Sequence, residues 1–291
     1  MPSRSVRRLT PTIALAALAA ALVVPLPAQQ PAPAGGSGGD ASARRASRPI
    51  LRVCGDPDNL PFSNNKREGF ENKIALLVGH DLADSVDFLW WPHRRGFVRS
   101  TLRAGECDFL VGVPTGFDPV ATTKPYYRST YYIVSRADRK PAVTSLDDPA
   151  LRKLKVGVNM IGYDYTNTPP AHALGARGIT AVGFPTFYGP GSEHHPQDII
   201  EAVEKKDIDV AVVWGPLAGY FAKRSPVPLT LVALPDSDAS NATGFPFAYD
   251  IAIGVRRSDK TLRAAIDSVL VRRREEIARI LADYGIPTVK H

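Results

Sequence analysis

From Ile50 onward, short apolar runs alternate with stretches of helical spacing, and few folds accommodate that pattern. "ILRVCG" is a branched apolar run closed by the turn-rich "DPDNLPFSNN", which reads as strand and turn. In "GFENKIALLVGHDLA", Ile74, Leu77, Val78 and Leu82 share one helical face. "VDFLWW" is a second strand. "RGFVRSTLRAGE" is a second helix, with Phe97, Val98 and Leu102 inward and Gly105 as its stop. "CDFLVGV" is a third strand. Strands separated by helices predict a parallel sheet with right-handed crossovers.

The strand "STYYIVS" leads to the charged, Pro-containing "RADRKP", and the pattern then restarts. Strands follow at "LKVGVNM", "ITAVGFP" and "IDVAVVWG", with helices at "HPQDIIEAVEKKD" and "PLAGYFAKR". "LTLVALP" and "YDIAIGVRR" are further strands, and a long amphipathic stretch closes the chain. One α/β unit is thus interrupted by another. The expected lobes are 50–137 with 246–291, and 138–245, joined by a two-strand hinge near 134–141 and 242–248. Open α/β sheets bind ligands at the carboxyl ends of their strands, so a cleft is expected there.

Residues 1–28 read as an export signal: Arg4, Arg7 and Arg8 precede the apolar "TIALAALAAALVV" and a small residue at Ala28. That run is shorter than the roughly 20 residues a membrane helix needs, and no later segment is apolar enough to span. Residues 29–49, rich in Pro, Gly, Ala and Ser, read as a disordered tether. The formal charge is +7, but much of it sits in these two segments. The remainder is only mildly basic, which argues against a nucleic-acid partner. Export permits a disulfide between Cys54 and Cys107. Placed on adjacent parallel strands, however, the two are offset by about three residues of ~3.3 Å each. That offset favours two buried, reduced thiols.

"LRVCGDPDNLPFSNN", "GFENKIALLV", "LRAGECDFLVGVP" and "TTKPYYRSTY", in this order, resemble extracytoplasmic solute-binding proteins of the amino-acid-binding type. "CGDPDNLPFSN", "WWPHRRGFVRSTLRAGECD" and "VGVPTGFDPVATTKPYYRSTYYIVSR" narrow the resemblance to the solute-binding-like proteins encoded with methanol-dehydrogenase systems, the MoxJ and XoxJ type. The resemblance implies a two-lobed type II periplasmic binding protein fold. It further implies a periplasmic, non-catalytic accessory, with no cofactor of its own, to a PQQ-dependent and often lanthanide-dependent methanol dehydrogenase. The dehydrogenase, with its cytochrome c, is the implied partner.

The chain departs from amino-acid binders at both charged anchors. The resemblance puts Phe117 where those relatives carry a carboxylate-binding arginine, and Trp214 where they carry an amine-binding acid. An unpaired zwitterion is costly to desolvate, so the expected cleft suits an apolar small ligand or an inserted side chain. Its candidate residues are Phe62, Trp91, Arg94, Arg95, Phe117, Tyr126, Tyr163, Phe187 and Trp214. Alternation along the strand puts Trp90 in the core and Trp91 toward the cleft. Arg94 and Arg95 read as a ligand clamp, a salt bridge to Glu71, or a solvated face.

Asp56 and Asp58 could act as an acid–base pair, but Asp-Pro and Asp-Asn are turn formers, which is the reading preferred here. Glu193, His194, His195 and Asp198 read as a loop and a helix cap rather than a metal site. No catalytic residue and no metal ligand is assigned. Three function classes stay open: a dehydrogenase accessory, the substrate receptor of an ABC transporter for a small non-amino-acid solute, and an enzyme on a binding-protein fold.

Overall fold

This computed structural model describes residues 50–83, 85–161, 167–186, 192–235 and 244–290. The expected signal, the expected tether, Tyr163 and Phe187 lie outside the described residues.

Two sheets organise the chain. The first runs β4-β1-β5-β13-β6, with β7 also paired to β13. Its strands are β1 (Ile50–Gly55), β4 (Ser85–Trp90), β5 (Phe109–Pro114), β6 (Ala121–Thr122), β7 (Tyr127–Ser129) and β13 (Tyr249–Val255). β1 is parallel to β4 and β5, whereas β13 is antiparallel to β5. A small hairpin, β2 (Asp58–Asn59) with β3 (Ser63–Asn64), follows β1. The second sheet runs β10-β9-β11-β8-β12. It comprises β8 (Tyr131–Arg136), β9 (Val156–Met160), β10 (Ala181–Pro185), β11 (Val210–Trp214) and β12 (Leu229–Ala233).

The helices fall near their expected places. They are α1 (Phe70–Leu82), α2 (Phe97–Ser100), α3 (Pro169–Ala176), α4 (Asp198–Glu204), α5 (Gly215–Arg224), α6 (Lys260–Arg272) and α7 (Arg274–Asp283). The second helix is one short turn, because the chain from Thr101 to Glu106 continues as turns. Phe97 and Leu102 are buried as expected.

The period-2 alternation of strands sorts each sheet's side chains onto two faces. Val210 and Val212 enter one apolar cluster of the second sheet, and Ala211 and Val213 the other. In the first sheet Val53, Phe109, Val111 and Val255 pack with Phe70 and Ile74 of α1 and Ile266 of α6. Each such fully buried side chain contributes about 1.5–3 kcal/mol. Opposite them, Cys54, Phe97, Leu102, Cys107, Leu110 and Val113 form a separate cluster. Register slips within β5: Ile253 faces Val111 while Ala252 faces Val113, so Gly112 is an extra residue. Gly112 has φ of +84°, and a Cβ there would lie 1.9 Å from Glu71 Oε1. Only glycine combines that backbone with room for the acid.

The thiol expectation is overturned. Cys54 and Cys107 form a disulfide with Cα atoms 5.5 Å apart. The ladder is offset as expected, since Cys54 pairs with Leu110. Cys107, however, precedes β5, which begins at Phe109. Asp108 N–H donates to Arg52 O and its carboxylate accepts from Arg52 N–H. Those bonds hold the turn beside β1, and the extended rise does not apply to it.

The first crossing also moves. β8, expected in the first lobe, pairs with β11 and β12 of the second sheet. The chain therefore changes sheets at Thr130, between β7 and β8, ahead of residues 134–141. The return lies between β12 and β13. The two passages are bonded together: Thr130 Oγ1 donates to Leu234 O, and Leu234 N–H donates to Tyr131 O. A further tie joins α5, which follows β11, to the end of α7. Tyr220 and Tyr284 stack at 5.8 Å. Lys223 Nζ donates to the carbonyls of Ala282 and Asp283. A Cβ at Gly219 would lie 2.0 Å from Gly285 O, so the backbones touch there.

Candidate functional site

A cavity of about 440 Å³ lies between the sheets, at the strand ends where the α/β pattern predicts a cleft. The first sheet and its hairpin loop contribute Asn59, Phe62, Gly112, Pro114, Tyr249 and Ile251. The second contributes Tyr131, Asn159, Ile161, Thr168, Thr186 and Trp214, with Leu217 from α5. None of these lining residues is charged.

Aromatic rings form one wall. Trp214 ends β11 and stands opposite Tyr131 of β8 in register. Their rings meet edge to face at 5.2 Å, and Trp214 meets Tyr249 at 5.9 Å. Edge-to-face pairs of this kind are favourable beyond their burial. Burial, and to a lesser extent Tyr249, raises the Tyr131 hydroxyl well above an ordinary tyrosine, so it stays protonated. Polar groups sit on the other side. The Asn159 carbonyl accepts from Thr168 Oγ1 at 2.7 Å, and Thr186 Oγ1 donates to Met160 O at 3.0 Å. The Asn159 amide nitrogen is buried with no partner among the described residues. A buried donor left unpaired costs about 1–3 kcal/mol, and an acceptor on a bound group would relieve it.

An acidic group lies behind the glycine bulge. Glu71, on the first turn of α1, is buried against Gly112. Desolvation, with the Asp56 charge second, pushes its pKa up to about 8. Neither Arg94 nor Arg95 pairs with it among the described residues, so the salt-bridge reading of Glu71 falls away. Asp56 orders the loops instead. Its carboxylate accepts Asp58 N–H at 2.9 Å and His93 N–H at 2.6 Å, while Asp56 N–H donates to Ser63 Oγ. This is turn chemistry. His93 is a buried neighbour whose pKa is lowered by desolvation, with Asp56 opposing. Asp198 opens α4 and accepts His195 N–H at 2.9 Å, with His194 alongside.

The comparisons decide the family. The crystal structure of periplasmic binding protein XoxJ from Methylobacterium extorquens AM1 superposes with a TM-score of 0.66 and 32% identity, covering 83% of this chain and 100% of that one. The chain belongs to the MoxJ/XoxJ family of periplasmic binding proteins. MxaJ from Methlophaga aminisulfidivorans MPT aligns with a TM-score of 0.69 and 26% identity, covering 82% of this chain and all of that one. Protein MoxJ of Methylorubrum extorquens AM1 is 29% identical over 289 residues, 96% of this chain and 93% of that protein. An ancestral cationic amino acid solute-binding protein matches at a TM-score of 0.61 and 20% identity, and shows the shared two-lobed fold alone. No family model matches the sequence.

In this MoxJ/XoxJ-type chain the expected cleft residues separate. Phe62 and Trp214 line the cavity. Arg94, Arg95 and Phe117 do not; they line a second depression on the first lobe, beyond the disulfide cluster. The Asp56–His93 bond fixes the 91–96 loop at the end of β1, and the Gly112 bulge reverses the alternation of β5 before Phe117. Trp91 lines neither and is 37% exposed, while Trp90 stacks on Phe88 at 4.9 Å. Tyr126 packs beside Tyr127 at the margin of the first core, its hydroxyl buried. Tyr131, Tyr249 and Asn159 were missed. An asparagine ending the otherwise apolar "VGVN" was the available signal for the last.

Proposed function

We propose that this chain is a periplasmic, non-catalytic accessory that binds and activates a PQQ-dependent, often lanthanide-dependent, methanol dehydrogenase, its cleft taking a neutral group with an apolar face. The carrying observation is the cleft itself: an aromatic wall of Trp214, Tyr131 and Tyr249, and no charged residue among the lining groups. Membership of the MoxJ/XoxJ family supports the location and the partner. An inserted residue with an aromatic or aliphatic side chain would bury that side chain against Trp214 and could turn its backbone carbonyl toward Asn159. The commitment of Asp56 to its loop bonds supports the non-catalytic reading.

The test is dehydrogenase activity, and retention of the dehydrogenase on immobilised protein, with wild type and with Trp214→Ala. Wild type should activate, and the variant should bind at least tenfold more weakly, as hot-spot tryptophans do at about 2 kcal/mol. Activation by the variant equal to wild type would place the contact elsewhere. A second reading, the receptor of an ABC transporter for a small neutral solute, is favoured by the unused Asn159 donor. Native mass spectrometry of the purified protein separates them: a stoichiometric small molecule, displaced in Asn159→Ala, would support the receptor. Under either reading, calorimetric titration with common amino acids should give no micromolar binding.

A further inference from the structure

The depression that holds Arg94, Arg95 and Phe117 has a volume of about 480 Å³ and adjoins the Trp214 cleft, with Gly112 and Pro114 lining both. Arg99 and Arg103 line it as well, and no carboxylate among the described residues does. The side chains of Arg94, Arg99 and Arg103 make no ion pair or hydrogen bond with the described residues. Asp118, adjacent to Phe117 in sequence, is instead turned to Arg257 at 2.7 Å. Arg94, Arg99 and Arg103 thus bring like charges together with no counter-charge among the described residues, and their repulsion is a cost that a negatively charged partner removes.

The platform beneath the arginines is rigid. Phe97, Leu102 and the disulfide-bonded Cys107 are buried in one cluster, so the segment carrying Arg99 and Arg103 is held before and after both arginines. Little ordering is then needed on binding. The floor is apolar, built from Leu110, Val113 and the 37% exposed ring of Phe117. A free inorganic anion would leave that floor unused. A flat bilayer does not enter a recess. The pairing of guanidinium rim and apolar floor matches a polypeptide that alternates carboxylates with an aromatic or aliphatic anchor.

We propose that this groove is a second docking site, which takes an acidic segment of another protein with one apolar side chain seated on Phe117, Leu110 and Val113. It meets the cleft at Gly112 and Pro114 but draws on other side chains, and it stands whether or not the cleft reading does.

Fluorescence anisotropy on the full chain tests it, with a labelled octapeptide alternating glutamate and phenylalanine and its glutamine–phenylalanine counterpart. The acidic peptide should bind at least tenfold more tightly than the neutral one, and more weakly as salt rises past about 0.1 M, where screening shortens to ~10 Å. Arg94→Ala/Arg99→Ala/Arg103→Ala should weaken it at least tenfold, and Phe117→Ala should weaken it with the rim intact. All four residues lie on exposed positions, and an unchanged melting temperature checks the fold. Trp214→Ala should leave the peptide's binding unchanged, which separates this site from the cleft. Equal binding of both peptides, or an unaffected triple variant, would overturn the proposal. So would full displacement by millimolar inorganic phosphate, or equal arginine-dependent binding to anionic phosphatidylglycerol vesicles, which would mark an anion or a lipid site.

Discussion

Glu71→Gln should make the protein more stable at neutral and alkaline pH while changing little below about pH 4.5. The unfolded chain releases this proton near 4.5, whereas burial and Asp56 hold it in the fold up to about 8. Between those values the folded protein binds one proton more than the unfolded chain. Stability therefore falls as pH rises, by about 1.4 kcal/mol per unit at full effect. His93 acts in the opposite sense. Its folded pKa is lowered from 6.5, so its contribution rises with pH and levels off about one unit above 6.5. In the window from pH 6.5 to 8 the remaining His93 gain is only about 0.4 kcal/mol, so Glu71 dominates there. Across it the wild type should lose on the order of 2 kcal/mol, a loss that Glu71→Gln removes. Urea unfolding followed by tryptophan fluorescence at several pH values gives the slope directly. A wild-type stability that is flat or rising across that window, or a variant that keeps the wild-type slope, would refute the argument.

Gly112→Ala should destabilise by roughly 2–5 kcal/mol, summing a left-handed backbone penalty and overpacking against Glu71; thermal melting checks it, and Glu71→Ala should relieve part of the loss. Replacing Cys54 and Cys107 with alanine should cost about 4 kcal/mol, because the bridge spans 53 residues of sequence. Alkylation under denaturing conditions without reductant should label neither cysteine, and labelling of both would contradict the bridge.

The fold was largely legible because strand and helix periods are local properties. "VDFLWW", "IDVAVVWG" and "YDIAIGVRR" became β4, β11 and β13 within a residue or two. Sheet membership is not local, so "STYYIVS" was assigned to the wrong lobe: its partners, β11 and β12, come some 75 to 100 residues later. The cysteines were misjudged by extending β5 back to Cys107, where the chain is a turn held by Arg52. The cleft was read from strand ends, and that rule found Phe62 and Trp214. It failed for Arg94, Arg95 and Phe117, because a bulge and a loop bond redirect side chains with no signature in spacing. Tyr131 and Tyr249 enter the site only because both strands adjoin the sheet crossings, which tertiary pairing positions.

The contact between α5 and α7 acts as a lever stop. From Gly215, whose N–H donates to Thr130 O, to Lys223 is about 12 Å along the helix at 1.5 Å per residue. A rotation of ~10° at the crossing, about an axis transverse to α5, would sweep Lys223 by ~2 Å, beyond what its bonds to Ala282 and Asp283 tolerate. The touching backbones at Gly219 and Gly285 leave no slack for compression either. A cleft tied in this way is expected to act as a gauge of nearly fixed width rather than a jaw, selecting by the size of what enters with little of the binding energy diverted into closing the lobes.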